Sequence, residues 1–139
     1  QSLPDRVLVA YARRLRTLPL VRVVGSGSRR FNVLHAEFFG DDAMLDAGDF
    51  NAGMRQQILW GRELALGRGV AGQQAGLSPT YCGHTPMREV GRIRAQIFID
   101  TGAFAATGKL TVTEALTARA WSVSVEQALL EGAAQMSLP

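Results

Sequence analysis

Leu20-Val21-Arg22-Val23-Val24, Gly25-Ser26-Gly27-Ser28 and Phe31-Asn32-Val33-Leu34-His35-Ala36 follow one another with only Arg29-Arg30 intervening. Two short apolar runs, the first of them β-branched, separated by a glycine-serine cluster, predict a β-hairpin. His35 then falls at or just beyond the end of the second strand. Upstream, Val7, Leu8, Ala10, Tyr11, Arg14, Leu15 and Leu18 recur at helical spacing, with Arg13, Arg14 and Arg16 where cations suit the helix dipole, and Pro19 stops the helix.

Downstream, Gly40 to Gly53 carries Asp41, Asp42, Asp46 and Asp49 among glycines and reads as an exposed loop. It leads into a helix from about Met54 to Leu66. A long loop is expected from Gly67 to Pro79. Thr80-Tyr81-Cys82 is a short strand ending in Gly83-His84-Thr85-Pro86, which puts His84 on a turn at a strand's carboxyl end. Ile93 to Ile99 and Leu110 to Leu116 read as strands separated by the turn Asp100-Thr101-Gly102 and the small-residue loop Ala103 to Gly108. Ser124-Val125-Glu126-Gln127 fits a capping box, and Val125, Ala128, Leu129 and Ala133 form the stripe of a last helix reaching Met136. Strands in the middle and helices at both ends predict a mixed α/β domain spanning 1–139, with 117–139 as a carboxyl-terminal helical extension.

The chain has 139 residues, 47% of them hydrophobic and 19% charged, which is ordinary for one soluble globular domain and argues against disorder. Its net charge of +3 is almost wholly arginine, since Lys109 is the only lysine. No basic run is long enough for a nucleic-acid tail. Cys82 stands alone, so neither an intrachain disulfide nor a Cys-x-x-Cys metal knuckle is possible, and a reducing cytoplasm is the expected compartment. Nothing in the sequence reads as a membrane span or signal segment.

His35 and His84 are the only histidines, and each closes an apolar strand-like run, the placement at which α/β folds gather ligands. A neutral imidazole can aim one lone pair at a metal while its other nitrogen is held by an acceptor. Spacing alone leaves open that both are ordinary turn histidines.

Four motifs in one order carry a resemblance. They are Phe31-Asn32-Val33-Leu34-His35-Ala36-Glu37, Ile58-Leu59-Trp60-Gly61-Arg62-Glu63, Gly83-His84-Thr85-Pro86, and Ile97-Phe98-Ile99-Asp100-Thr101-Gly102-Ala103 with Gly108-Lys109-Leu110-Thr111-Val112. From about Val7 to Ala115 the chain resembles the metal-dependent serine/threonine phosphoprotein phosphatases of the bacteriophage lambda type, within the calcineurin-like metallophosphoesterases. The resemblance implies a four-layer α/β/β/α sandwich with a mixed sheet, and hydrolysis of phosphate monoesters on phosphoserine or phosphothreonine in proteins, or on small phosphoesters. It implies two divalent metal ions, manganese first and iron, zinc or magnesium as alternatives. By their matches to these motifs, His35 and His84 would ligate one metal ion and Arg62 would hold phosphate oxygens through its planar fork.

The same resemblance implies that the chain carries only the carboxyl-terminal half of such a domain. The family's Asp-x-His-Gly, Gly-Asp-x-x-Asp-Arg-Gly and Gly-Asn-His-Glu motifs have no counterpart in this sequence. Two histidines are too few for a catalytic metal, which takes at least three protein ligands. Little or no phosphatase activity is therefore expected of the chain by itself, and the surface left by the missing half invites self-association. The rival reading is a non-catalytic remnant serving as a binding or assembly module. Glu37 stands where the family pattern has aspartate, and reads as a solvated loop acid or as a hydrogen-bond acceptor for a neighbouring group.

Other signals fail on context. Gly67-Arg68-Gly69-Val70-Ala71-Gly72 satisfies G-x-G-x-x-G, but a helix, not a strand, precedes it, so a dinucleotide site is the weaker reading. Asp49-x-Asn51-x-Gly53 misses the EF-hand pattern, which leaves Asp41 to Asp49 as solvated loop acids. Cys82 reads as a buried, inert strand cysteine, Trp60 as a core residue beside Leu64, and Arg29-Arg30 as the exposed start of a strand.

Overall fold

The computed structural model describes residues 4–68 and 75–136, with side chains described to 130. The chain is mixed α/β, built on a mixed five-stranded sheet. Strands β1 (Val21–Val24), β2 (Phe31–Leu34), β3 (Thr80–Cys82), β4 (Gly91–Ile93) and β5 (Gln96–Phe98) lie in the order β1-β2-β3-β5-β4. β2, β3 and β5 run parallel, and the edge strands β1 and β4 are antiparallel to their neighbours. β6 (Lys109–Thr113) and β7 (Ala120–Ser124) form a separate antiparallel hairpin. The expected β1–β2 hairpin is present, with Val21 opposite Leu34 and Val24 opposite Phe31. Its connection needs glycine, since Gly25 (φ +71°) and Gly27 (φ +54°) lie in the left-handed region.

Helix α1 (Asp5–Arg16) falls where the periodicity placed it, with Asp5 in its first turn and three arginines in its last. One face of the sheet buries Asn32, Leu34, Thr80, Cys82, Gln96 and Phe98. Leu34, Cys82 and Phe98 pack with Phe38, Leu45, Ile58, Leu64 and Leu77 in the main core. Burial is what makes Cys82 inert: it pushes the thiol up to about 12, aided by the nearby Glu37 carboxylate.

Several expectations give way. The acidic stretch is not a loop of solvated acids but holds helix α2 (Asp42–Ala47), because Asp41 caps it by accepting the Met44 N–H, Leu45 is buried beneath it, and Gly48 ends it in the left-handed region. Asp42 accepts hydrogen bonds from Ser78 and Asn32 and pairs with Arg30, which also binds Asp46. Arg30 is thus a half-buried ion-pair partner and not an exposed strand residue. Helix α3 is shorter than the periodicity suggested, Ala52–Trp60, capped by Asn51 and ended by extended backbone at Gly61. Trp60 consequently faces solvent, 62% exposed, instead of joining Leu64 in the core. Glu37 is not solvated; it is fully buried.

The single strand expected from Ile93 to Ile99 is the hairpin β4–β5, folded over a two-residue turn at Arg94-Ala95 in which Arg94 takes φ +57°. The extension 117–139 is not wholly helical, since β7 precedes helix α4 (Val125–Met136) and pairs with β6 from Lys109↔Ser124 to Thr113↔Ala120. The capping box holds on its Ser124 side, whose Oγ accepts the Gln127 N–H. Within the glycine motif, Gly67 and Arg68 close a turn after α3, and Gly69 to Gly72 lie outside the described residues. Among the described residues, no helix is long and apolar enough to cross a membrane.

Candidate functional site

The three parallel strands end side by side, at Leu34, Cys82 and Phe98, and their ladder continues past these ends. The Gly83 N–H donates to the His35 carbonyl at 2.9 Å and the Ile99 N–H to the Cys82 carbonyl at 2.8 Å. This registration carries His35, His84 and Asp100 to one rim of the sheet, where open α/β sheets bind ligands. His84 adopts φ +63°, and the Thr85 N–H closes back on the Gly83 carbonyl at 2.7 Å. A hydrogen bond spanning two residues around a positive-φ non-glycine residue is the rarer, strained form of γ-turn. Such strain gathers at ligand sites because surrounding structure must hold it.

The strained turn aims His84 at His35. Nε2 of His35 lies 3.0 Å from Nδ1 of His84, with ring centroids 4.8 Å apart and planes tilted by 58°. Trp60 meets the His84 ring edge-on at 5.6 Å, and the Arg62 Nη1 reaches the Thr85 hydroxyl at 3.5 Å. The three residues singled out from the sequence, far apart in the chain, are therefore brought together. An apolar cleft lined by Leu18, Leu20, Val33, Leu59 and Trp60 opens beside His35.

Electrostatics favour a neutral His84. Partial burial lowers its pKa below the ordinary histidine value, the Arg62 and His35 charges lower it further, and Asp100 opposes them. A neutral ring keeps a lone pair. The facing nitrogens can therefore share one proton in an N–H···N bond, or turn two lone pairs toward one cation. For bonds of about 2.1 Å, a 3.0 Å separation corresponds to an angle near 90°, that of adjacent positions on a six-coordinate ion. The donor set thus fits two ligand positions of a divalent cation. Among the described residues, no group of three or more His, Cys, Asp or Glu is arranged to hold an ion.

Trp60 and Asp100 belong to the rim although the sequence reading assigned them no role. Asp100 carries the same signal as the histidines, a polar residue closing the apolar run Ile97-Phe98-Ile99, and its carboxylate accepts the Gly102 N–H at 2.9 Å. Trp60 had no such signal, because its exposure follows from the break in α3. No protein-family model matches the chain, and no curated protein matches it.

Proposed function

We propose that this chain is the carboxyl-terminal half of a four-layer α/β/β/α metallophosphoesterase sandwich and contributes part of a site that hydrolyses phosphate monoesters, on phosphoserine or phosphothreonine. The observation that carries the reading is the His35–His84 pair at 3.0 Å with Arg62 beside it. His35 Nε2 and His84 Nδ1 would hold one divalent ion, manganese first. Ions bound there would act as Lewis acids on the phosphoryl oxygens and activate water for in-line attack. Arg62 is exposed and offers a planar fork of donors to phosphate oxygens. Its charge also disfavours protonation of His84, which keeps that ring available as a ligand.

A second reading, a binding or assembly module without chemistry, is favoured because, among the described residues, no group of three or more His, Cys, Asp or Glu is arranged to hold an ion. Both readings expect the chain alone to turn over little substrate. They part when a polypeptide bearing the Asp-x-His-Gly, Gly-Asp-x-x-Asp-Arg-Gly and Gly-Asn-His-Glu motifs is added in trans with manganese. Restored turnover of a phosphopeptide, lost again in His35→Ala or His84→Ala, supports the hydrolase; phosphate binding with no turnover supports the module. Robust manganese-dependent turnover by the chain alone would overturn the half-site.

A further inference from the structure

We infer that Glu37 is a positioning residue for Arg62, so that one short segment, His35-Ala36-Glu37, sets both the metal-facing imidazole and the phosphate-facing guanidinium. The inference rests on the reading of Arg62 as a phosphate-holding group. Glu37 is fully buried, and both its oxygens are used: Oε1 accepts the Glu63 N–H at 2.8 Å and Oε2 the Leu64 N–H at 2.9 Å. Those are the amides that immediately follow Arg62. They open a turn closed by Leu66 N–H to the Arg62 carbonyl and Arg68 N–H to the Glu63 carbonyl, so they have no partner within the turn itself. A carboxylate from a distant segment thus caps this turn as an aspartate caps a helix.

The approach is close enough to specify its neighbour. A Cβ placed on Gly61 would stand 2.4 Å from the Glu37 Cγ and 2.7 Å from its Oε1. The residue before Arg62 must therefore lack a side chain for the carboxylate to reach the two amides. A second tie, Ala36 N–H to the Ile58 carbonyl at 2.8 Å, anchors the same two segments one step earlier. Burying a carboxylate is costly unless its acceptors are filled, and here two backbone amides fill them. An apolar residue would fill this core position without that cost; what it would not do is fix the backbone at 62–64 relative to His35.

The test is phosphorus NMR titration of the purified chain with inorganic phosphate, alongside calorimetric titration with Mn²⁺. Glu37→Gln puts an N–H against an amide N–H, and is expected to weaken phosphate binding on the order of 10-fold while leaving Mn²⁺ affinity unchanged, because Glu37 bonds the amides after Arg62 and neither imidazole. In an Arg62→Ala background the same change should have no further effect, because Glu37 acts through Arg62. Glu37→Asp, which keeps the charge at shorter reach, should recover part of the loss. Unchanged phosphate affinity, an equal loss of Mn²⁺ binding, or an undiminished effect in the Arg62→Ala background overturns the inference. Amide exchange gives a readout independent of phosphate. If the intact chain binds no phosphate, the phosphate-site reading fails. The positioning is then judged by whether Glu37→Gln unprotects Glu63 and Leu64 and shifts the Arg62 Nε–H resonance; no change in either sinks it.

Discussion

The Nε2 atom of His35 and the Nδ1 atom of His84 stand 3.0 Å apart although the two residues end different strands. The parallel pairing of β2 with β3 brings the strand ends together, and the left-handed conformation of His84 turns its ring inward. A tetrahedral ion would draw two imidazole nitrogens to roughly 3.4 Å, whereas adjacent positions of a six-coordinate ion fit about 3.0 Å. Co²⁺ added to the chain should therefore give the weak visible absorption of a six-coordinate ion. His35→Ala and His84→Ala should each abolish it, and intense tetrahedral bands would show that the pair rearranges around the metal.

One carboxylate and one imidazole, Asp42 and His84, are shifted in directions that bear on stability in acid. At Asp42, burial pushes the pKa up, but hydrogen bonds from the Ser78 hydroxyl and amide and from Asn32, with the Arg30 charge, bring it below the ordinary 3.8. The unfolded chain then binds this proton first, so the Asp42 contribution is intact above pH 3.8 and is lost as pH falls through the lower folded value. His84 is also depressed, below 6.5, so the unfolded state again takes the proton first and stability begins to fall as pH drops under 6.5. Urea midpoints measured across this range should fall in two steps. Asp42→Asn should remove the lower step and His84→Gln the upper one; a flat profile from neutral pH to 4 would contradict the His84 assignment.

The strand ends were legible because β-branched and apolar runs closing in a polar residue report their own geometry, and both histidines follow such runs. Helix α2 was not, since its signal is a cap, Asp41, hidden among other acids that looked like a solvated loop. Strand β7 was missed for a different reason. Ala120-Trp121-Ser122-Val123-Ser124 alternates in the strand manner, but nothing local identifies Leu110–Thr113 as its partner, and the helix cap at Ser124 is the stronger signal. Where α3 ends, Gly61 lies against Glu37, a contact between segments that no local pattern encodes.

Gly61→Ala tests that contact directly. Gly61 has an ordinary negative φ of −62°, so the substitution introduces no backbone strain of its own. The new methyl would nevertheless fall 2.4 Å from the Glu37 Cγ and 2.7 Å from the Gln57 carbonyl. Overpacking of this kind costs about 1–3 kcal/mol. The expected result is a lower urea midpoint at unchanged m-value. A stability equal to that of the unsubstituted protein would show that the 37–61 approach is looser than the structure has it.

Ile58 and Trp60 separate what is core from what is rim on one helix. Ile58 is fully buried among Leu34, Phe38 and Leu64, while Trp60, two residues on, is 62% exposed and touches the His84 ring. Ile58→Ala deletes buried methyl groups and leaves a cavity, so it should cost about 2–5 kcal/mol. Trp60→Ala removes mostly solvent-facing surface and one edge-on aromatic contact, and should cost no more than about 1 kcal/mol. Its effect belongs instead at the site: Trp60 packs edge-on against the His84 ring, so its loss should weaken Co²⁺ binding without lowering the urea midpoint appreciably. A Trp60→Ala variant as unstable as Ile58→Ala would return Trp60 to the core, where the sequence pattern alone had put it.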